Sequence, residues 1–202
     1  AAPDAKGEFT VGRLATGRHH VSTQLPEDWY VRSITLPGTS QEAAGIDVTK
    51  EGFNVASGQR ISNLGITVAQ GAAGLSGRVV PASERAKLPS GLLVHLLPAD
   101  RESADQRLRF AEARVDVDGT FSLPNLAPGR YFILARSIPE DEWMEGTLRA
   151  VASDSEGRMK LYREGEAANV VVELRQCERA VDYTLKYNAP AAPSRPSRER
   201  RN

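Results

Sequence analysis

Residues 119–133 read Gly119-Thr120-Phe121-Ser122-Leu123-Pro124-Asn125-Leu126-Ala127-Pro128-Gly129-Arg130-Tyr131-Phe132-Ile133. Residues 7–21 read Gly7-Glu8-Phe9-Thr10-Val11-Gly12-Arg13-Leu14-Ala15-Thr16-Gly17-Arg18-His19-His20-Val21. Both follow the skeleton G-x-F-x-[VL]-x-x-L-A-x-G-R at a constant offset. A repeat of this length predicts one supersecondary unit used twice. It also acts as an internal control, because a residue found in one copy only does not serve a role common to both.

The flanks of the phrase read as β-structure. Gly and Pro are scattered and the apolar runs are short, which predicts an all-β chain with frequent turns. Trp29–Leu36 and Ile61–Val68 read as strands, and Gln70–Gly74 as a small flexible joint between modules. Beyond the joint, Leu75–Val80, Leu92–Leu97, Leu108–Val117, Phe121–Leu123 and Arg130–Ser137 read as strands, with Asp118-Gly119 as a two-residue type I′ hairpin turn. Pro139 and the acids Glu140, Asp141 and Glu142 predict a short helix over 140–152. Met159–Tyr162, Asn169–Leu174 and Ala180–Tyr187 read as the last strands, and the Pro/Arg-rich residues 188–202 as a disordered tail.

Composition narrows the function classes. The 202 residues carry 26 basic and 26 acidic side chains, so nothing favours nucleic acid or an anionic membrane as partner. No stretch approaches the roughly 18 apolar residues of a membrane span, so no membrane insertion is expected. The chain opens on Ala1 and its first Met is Met144, which reads as a processed or cut N-terminus. The single Cys177 excludes an internal disulfide and reads as a small strand-end residue.

The stretch Asp118-Gly119 through Tyr131, with the opening Gly74-Leu75-Ser76-Gly77-Arg78-Val79, resembles the carboxypeptidase regulatory-like family. The segment Leu25–Val48 of the N-terminal half is similar to the same family in tandem bacterial proteins. The resemblance implies prealbumin-like, immunoglobulin-like β-sandwich modules of the kind found beside metallocarboxypeptidases, in outer-membrane receptors and in surface proteins. It implies a partial sandwich over 1–70, where two or three strands are missing, and a complete one over 74–187. An unpaired sheet edge would follow, so either the chain is an excerpt or a neighbour supplies the pairing. Domains of related pilins carry a Lys–Asn isopeptide staple, but Leu75–Val80 holds no Lys and Ala135-Arg136 stands where the assisting acid would be, so no staple is expected.

His19-His20 are strand neighbours that point to opposite faces, and Tyr131-Phe132 replaces them in the other copy, so they read as surface rather than a metal pair. His95 lies in an apolar run and reads as a core or interface residue. Asp116-Val117-Asp118-Gly119 lacks the further oxygen ligands that calcium requires, so the turn reading prevails. One feature recurs in both halves: Glu27-Asp28-Trp29 and Glu140-Asp141 with Trp143. An indole face beside carboxylates suits a sugar, which makes these six residues the candidate ligand-binding set; the other reading is a solvated loop anchored by its Trp. No nucleophile elbow, Cys/His pair or phosphate loop is present.

The resulting expectation is a non-catalytic, extracytoplasmic structural or interaction module of a larger protein, without cofactor or metal. Its partners would be other domains of the same polypeptide, or a cell-surface protein or glycan. The alternatives are a carbohydrate-binding module and an accessory domain of a metallocarboxypeptidase or outer-membrane receptor.

Overall fold

The computed structural model describes residues 1–38, 45–83, 86–138 and 154–188. The described residues form β1 (Gly17–His19), β2 (Trp29–Leu36), β3 (Ile46–Asp47), β4 (Phe53–Val55), β5 (Gly65–Gln70), β6 (Ala73–Pro81), β7 (Leu92–Pro98), β8 (Ala111–Arg114), β9 (Thr120–Leu126), β10 (Gly129–Ser137), α1 (Ser155–Ala168), β11 (Val171–Leu174) and β12 (Arg179–Tyr187). The chain is thus mostly β, as its turn spacing predicts.

Two sheets build the C-terminal part. One has the order β11-β10-β7-β8, with every pair antiparallel. The other has the order β12-β6-β9, with β12 parallel and β9 antiparallel to β6. Alternate residues of both meet in one core: Leu75, Phe121, Leu123 and Leu185 from the second sheet, and Leu92, Val94, Leu96, Tyr131 and Ile133 from the first. The intervening residues Leu93, His95 and Leu97 of β7 and Phe132 and Leu134 of β10 are also buried. Leu97, Phe132 and Leu134 pack against Leu161 and Tyr162 of α1, with the Phe132 and Tyr162 rings edge to face at 5.9 Å. Strand β7 is buried along its whole length, which explains its unbroken apolar run. The N-terminal part adds the sheet β3-β2-β5 and the pair β1-β4.

Several expectations are corrected. Met159–Tyr162 is not a strand but part of α1. The Asp154 side chain caps the helix by accepting from the Gly157 amide at 2.6 Å, and Asn169 ends it in a left-handed conformation. Its buried stripe is Arg158, Leu161, Tyr162 and Gly165, a helical i, i+3, i+4, i+7 set. Two of those four are an Arg and a Gly, so the hydrophobic period is invisible. Gly165 is small for a packing reason, since a Cβ there would lie 2.7 Å from Leu97. The strand expected over 108–117 is reduced to β8, preceded by a 3-10 turn at Arg107–Arg109. Asp118-Gly119 is not a type I′ hairpin: of the two, only Gly119 has positive φ, and β9 leaves to pair with β6 in the other sheet. The Gln70–Gly74 joint is packed rather than loose, with Ala72 and Ala73 fully buried. The expected helix over 140–152 and nearly all of the 188–202 tail lie outside the described residues.

The sequence repeat has a backbone counterpart. Gly7, Arg13 and Gly17 have φ of 80°, 59° and 132°; Gly119, Asn125 and Gly129, at the same places in the phrase, have 88°, 56° and 150°. The Gly7 amide bonds to the Asp4 carbonyl, as Gly119 does to Asp116. At the corner, the Tyr131 hydroxyl donates to the Ala127 carbonyl at 2.5 Å, and the His19 ring contacts the Ala15 carbonyl at 2.7 Å. The correspondence continues downstream. β1 pairs with β4 as β10 pairs with β11. The turn Ala56–Gln59 matches Arg175–Glu178, each closed by a side-chain oxygen of its last residue accepting from the first amide. Gly58 and Cys177 have φ of 71° and 61°, and Asn63 and Asp182 have 59° and 58°. Cys177 is therefore a left-handed turn residue rather than a strand end. One part does not recur: residues 8–14 form no strand, whereas 120–126 form β9.

The Tyr131 corner is buried and the His19 corner is exposed. Tyr131→Phe should therefore cost about 1–2 kcal/mol in urea unfolding, because the Ala127 carbonyl loses its donor away from water. His19→Phe should cost less than about 0.5 kcal/mol, since water replaces the lost contact.

Candidate functional site

The acidic Trp loop of the N-terminal half sits where β2 begins. Asp28 has a left-handed φ of 72°, which turns the chain so that its carbonyl accepts from both the Gly71 amide (2.7 Å) and the Ala72 amide (2.9 Å). Its carboxylate is ion-paired with the Arg179 guanidinium at the start of β12. Trp29 is half-buried and registers against Gln70 in β5, while Glu27 is exposed. Asp28 thus ties the N-terminal half to the crossing into β6. Glu140, Asp141 and Trp143 lie outside the described residues, so the two Trp loops are not brought together on any described surface.

The sequence reading missed a charged cluster centred on Arg158. This arginine of α1 is 0% exposed. Its guanidinium makes two contacts with Asp105 Oδ1, through Nη2 at 2.8 Å and Nε at 2.9 Å, and Nη2 donates to the Lys50 carbonyl at 3.3 Å. Ser155 Oγ donates to the same carboxylate at 3.2 Å, and Lys50 Nζ lies 4.0 Å from Oδ2. The cluster therefore bonds α1, the 101–109 segment and the N-terminal half together. His20 and Arg107 stand close by. Burial first, then the positive charges of Arg107, Arg158 and Arg18, hold the His20 ring below its ordinary pKa, with Glu51 opposing. Burial, with help from Arg158, also lowers Arg107. No spacing in the sequence marks this cluster. The N-cap pattern Asp154-Ser155-Glu156 could have revealed the helix, but not which of its residues turns inward.

A cleft of about 270 Å³ opens between the halves, with Val21, Tyr30 and Thr49 on one side and Arg107, Phe110 and Asn125 on the other. Asn125 Nδ2 donates to the Leu25 carbonyl at 3.1 Å, while its buried Oδ1 has no partner among the described residues. The lining offers hydroxyls, an amide and one guanidinium, with no carboxylate or imidazole. Such a set can bind polar groups but holds no acid–base pair.

His95 is in the interior, as its apolar run predicts, on the α1-facing side of β7. Its Nδ1 is 3.7 Å from Glu112 Oε2, but this is not an ion pair at neutral pH. Burial, reinforced by Arg136, pushes the imidazole down to about 4. Burial also raises the Glu112 carboxyl, against the pull of Arg114. The turn carboxylates are engaged locally: Asp118 Oδ1 accepts from the Thr120 amide (3.0 Å) and hydroxyl (2.7 Å). Asp4 Oδ1 in the N-terminal copy accepts from the Lys6 and Glu8 amides. Among the described residues, no three His, Cys, Asp or Glu side chains converge as a metal site.

Asp105→Ala removes a carboxylate from the fully buried Arg158 and should destabilise by about 3–5 kcal/mol in chemical unfolding. For His95, the folded pKa lies below the unfolded one, so acid protonates the unfolded chain first. Its stabilising effect is complete above about pH 6.5 and falls away toward pH 4, by on the order of 3 kcal/mol. The unfolding free energy of wild type relative to His95→Gln, measured between pH 7 and pH 4, should show this loss.

Searches of protein-family models, curated proteins and solved structures found nothing that matches this chain.

Proposed function

We propose that this chain is a non-catalytic structural module of a larger extracytoplasmic protein, built from two carboxypeptidase regulatory-like β-sandwich units in tandem, the first of them partial. The observation that carries this reading is the recurrence of one set of folding devices in both halves. The same three left-handed positions, the same corner contact and the same side-chain-closed turn appear twice. Tyr131 and His19 of the repeated phrase contact backbone carbonyls at the corners, and Asp118 and Asp4 just before it hold the turns, which suits a scaffold better than a reaction centre.

The Asp28 contacts favour the spacer reading over carbohydrate binding. Asp28 Oδ1 is taken by Arg179 and its carbonyl by the Gly71 and Ala72 amides, so the residue already serves the joint. A module of this kind holds its two halves at a set angle, and the Arg158–Asp105–Lys50 contacts supply the cross-link.

Spin labels at the exposed positions Ser57 and Glu173, in a Cys177→Gly background, test the spacer role directly. A single narrow distance distribution is expected, broadened by Arg179→Ala. A broad distribution in the parent chain overturns the reading. So does glycan-array binding lost on Trp29→Ala with the circular dichroism spectrum unchanged, or hydrolysis of a peptide, ester or glycoside by the purified chain.

A further inference from the structure

The cleft between the halves carries donors that nothing nearby satisfies. Arg107, Tyr30 and Thr23 are half-buried on its wall. None of these three side chains makes an ion pair or hydrogen bond with the other described residues. The Thr49 hydroxyl, by contrast, already donates to Asp47 Oδ1 at 2.6 Å, and the Asn125 amide to the Leu25 carbonyl. The neighbouring carboxylates do not answer Arg107 either. Asp105 is held by Arg158. Glu112 shares with Arg107 the lining of a second hollow of about 160 Å³, yet forms no ion pair with it. Burial and the positive charge of Arg158 both penalise the Arg107 charge, so an anion reaching it is favoured.

Beside these donors the lining is apolar. Ile34 and Val48 are 3% and 7% exposed, and Phe110 is half-buried. β2, which carries Tyr30 and Ile34, packs against the Arg107–Arg109 turn, so the two kinds of surface border one space.

We propose that this cleft binds an apolar monocarboxylate, its carboxylate on Arg107 and the Tyr30 hydroxyl and its hydrocarbon body against Ile34, Val48 and Phe110. A guanidinium fork matches the two oxygens of a carboxylate. A single cation in the lining suits one negative charge better than the two of a phosphate. The lining has no carboxylate for an ammonium group, so a free amino acid fits poorly. The volume of about 270 Å³ lies just below the roughly 300–1,000 Å³ of drug-sized pockets. It suits a small acid or the last residue of a chain. Both halves contribute to the wall, so a bound acid bridges them and stabilises the fold by mass action. This site goes beyond the spacer role and does not depend on the tandem reading.

Titration of the full 202-residue chain with phenylacetate, followed by amide NMR shifts and thermal unfolding, tests the site. Saturable shifts are expected over residues 21–34 and 107–110, with a raised unfolding midpoint. Phenylacetamide has the same shape without the charge and should bind about tenfold more weakly or worse. Arg107→Gln should lose about tenfold in affinity and Tyr30→Phe about threefold, with unchanged circular dichroism spectra. Arg107→Lys should recover part of the loss. Tighter binding of acetylglycylphenylalanine than of phenylacetate supports a chain terminus as the source of the carboxylate, and the reverse supports a free acid. Equal binding of phenylacetate and phenylacetamide overturns the proposal, as does an affinity unchanged in Arg107→Gln. Tighter binding of inorganic phosphate overturns it in favour of an oxyanion site. Absence of saturable shifts with either carboxylate overturns it outright and leaves the spacer reading untouched.

Discussion

The pairing of β6 between β9 and β12 is the constraint on which the rest of the structure depends. A strand exists only when its backbone amides and carbonyls find partners. β6 supplies partners on both edges, antiparallel on one side and parallel on the other. With β6 in place, Phe121 and Leu123 turn inward and meet Tyr131 and Ile133 across the core. The chain then has to cross from one sheet to the other between β9 and β10. The left-handed Asn125, the glycine at 129 and the Tyr131 hydroxyl on the Ala127 carbonyl make that crossing. A Cβ at Gly129 would collide with the Arg109 guanidinium, whose face lies over the Tyr131 ring at 5.2 Å. One residue's lack of a side chain thus lets a cation cover the corner.

The second organising feature is the charged interior at the back of the first sheet. α1 closes the outer face of β7 and β10 with Leu161 and Tyr162, and Arg136 of β10 meets Glu164 at 3.2 Å. The same helix carries Arg158 inward, where its own side chain has no solvent access. Burying a guanidinium is tolerated only when carboxylate and carbonyl acceptors surround it. Asp105 and the Lys50 carbonyl provide them from two other parts of the chain. His95, close by on β7, follows the opposite rule: with a positive neighbour and little water, it stays neutral.

The strands were legible because their apolar residues alternate or run unbroken, and the corner was legible because its glycines and aromatic sit at fixed spacing. The helix α1 was not, because Arg158 and Gly165 occupy half of its inward stripe. Its first turn carries a readable cap at Asp154, but the apolar fragment Met159–Tyr162 imitates a short strand. The Asp118-Gly119 turn misled for a different reason. A turn residue predicts a reversal of direction, and it does not say whether the two arms share a sheet. Asp28 reads in the sequence as a carboxylate beside an indole, and its ion pair with the distant Arg179, at the start of β12, is visible only in the tertiary structure.

By itself the sequence determined the β character, the position of the corners and the fact that one phrase is used twice. These are local properties, set by φ preferences, side-chain period and hydrogen bonds spanning four residues or fewer. Tertiary structure alone decided which copy of the phrase becomes a strand, which arginine is buried and which carboxylate is tied down. Each of those depends on a partner far away in the chain. Residues 8–14 and 120–126 hold the same pattern, yet only the second has β6 beside it, and a backbone without a partner does not form a sheet.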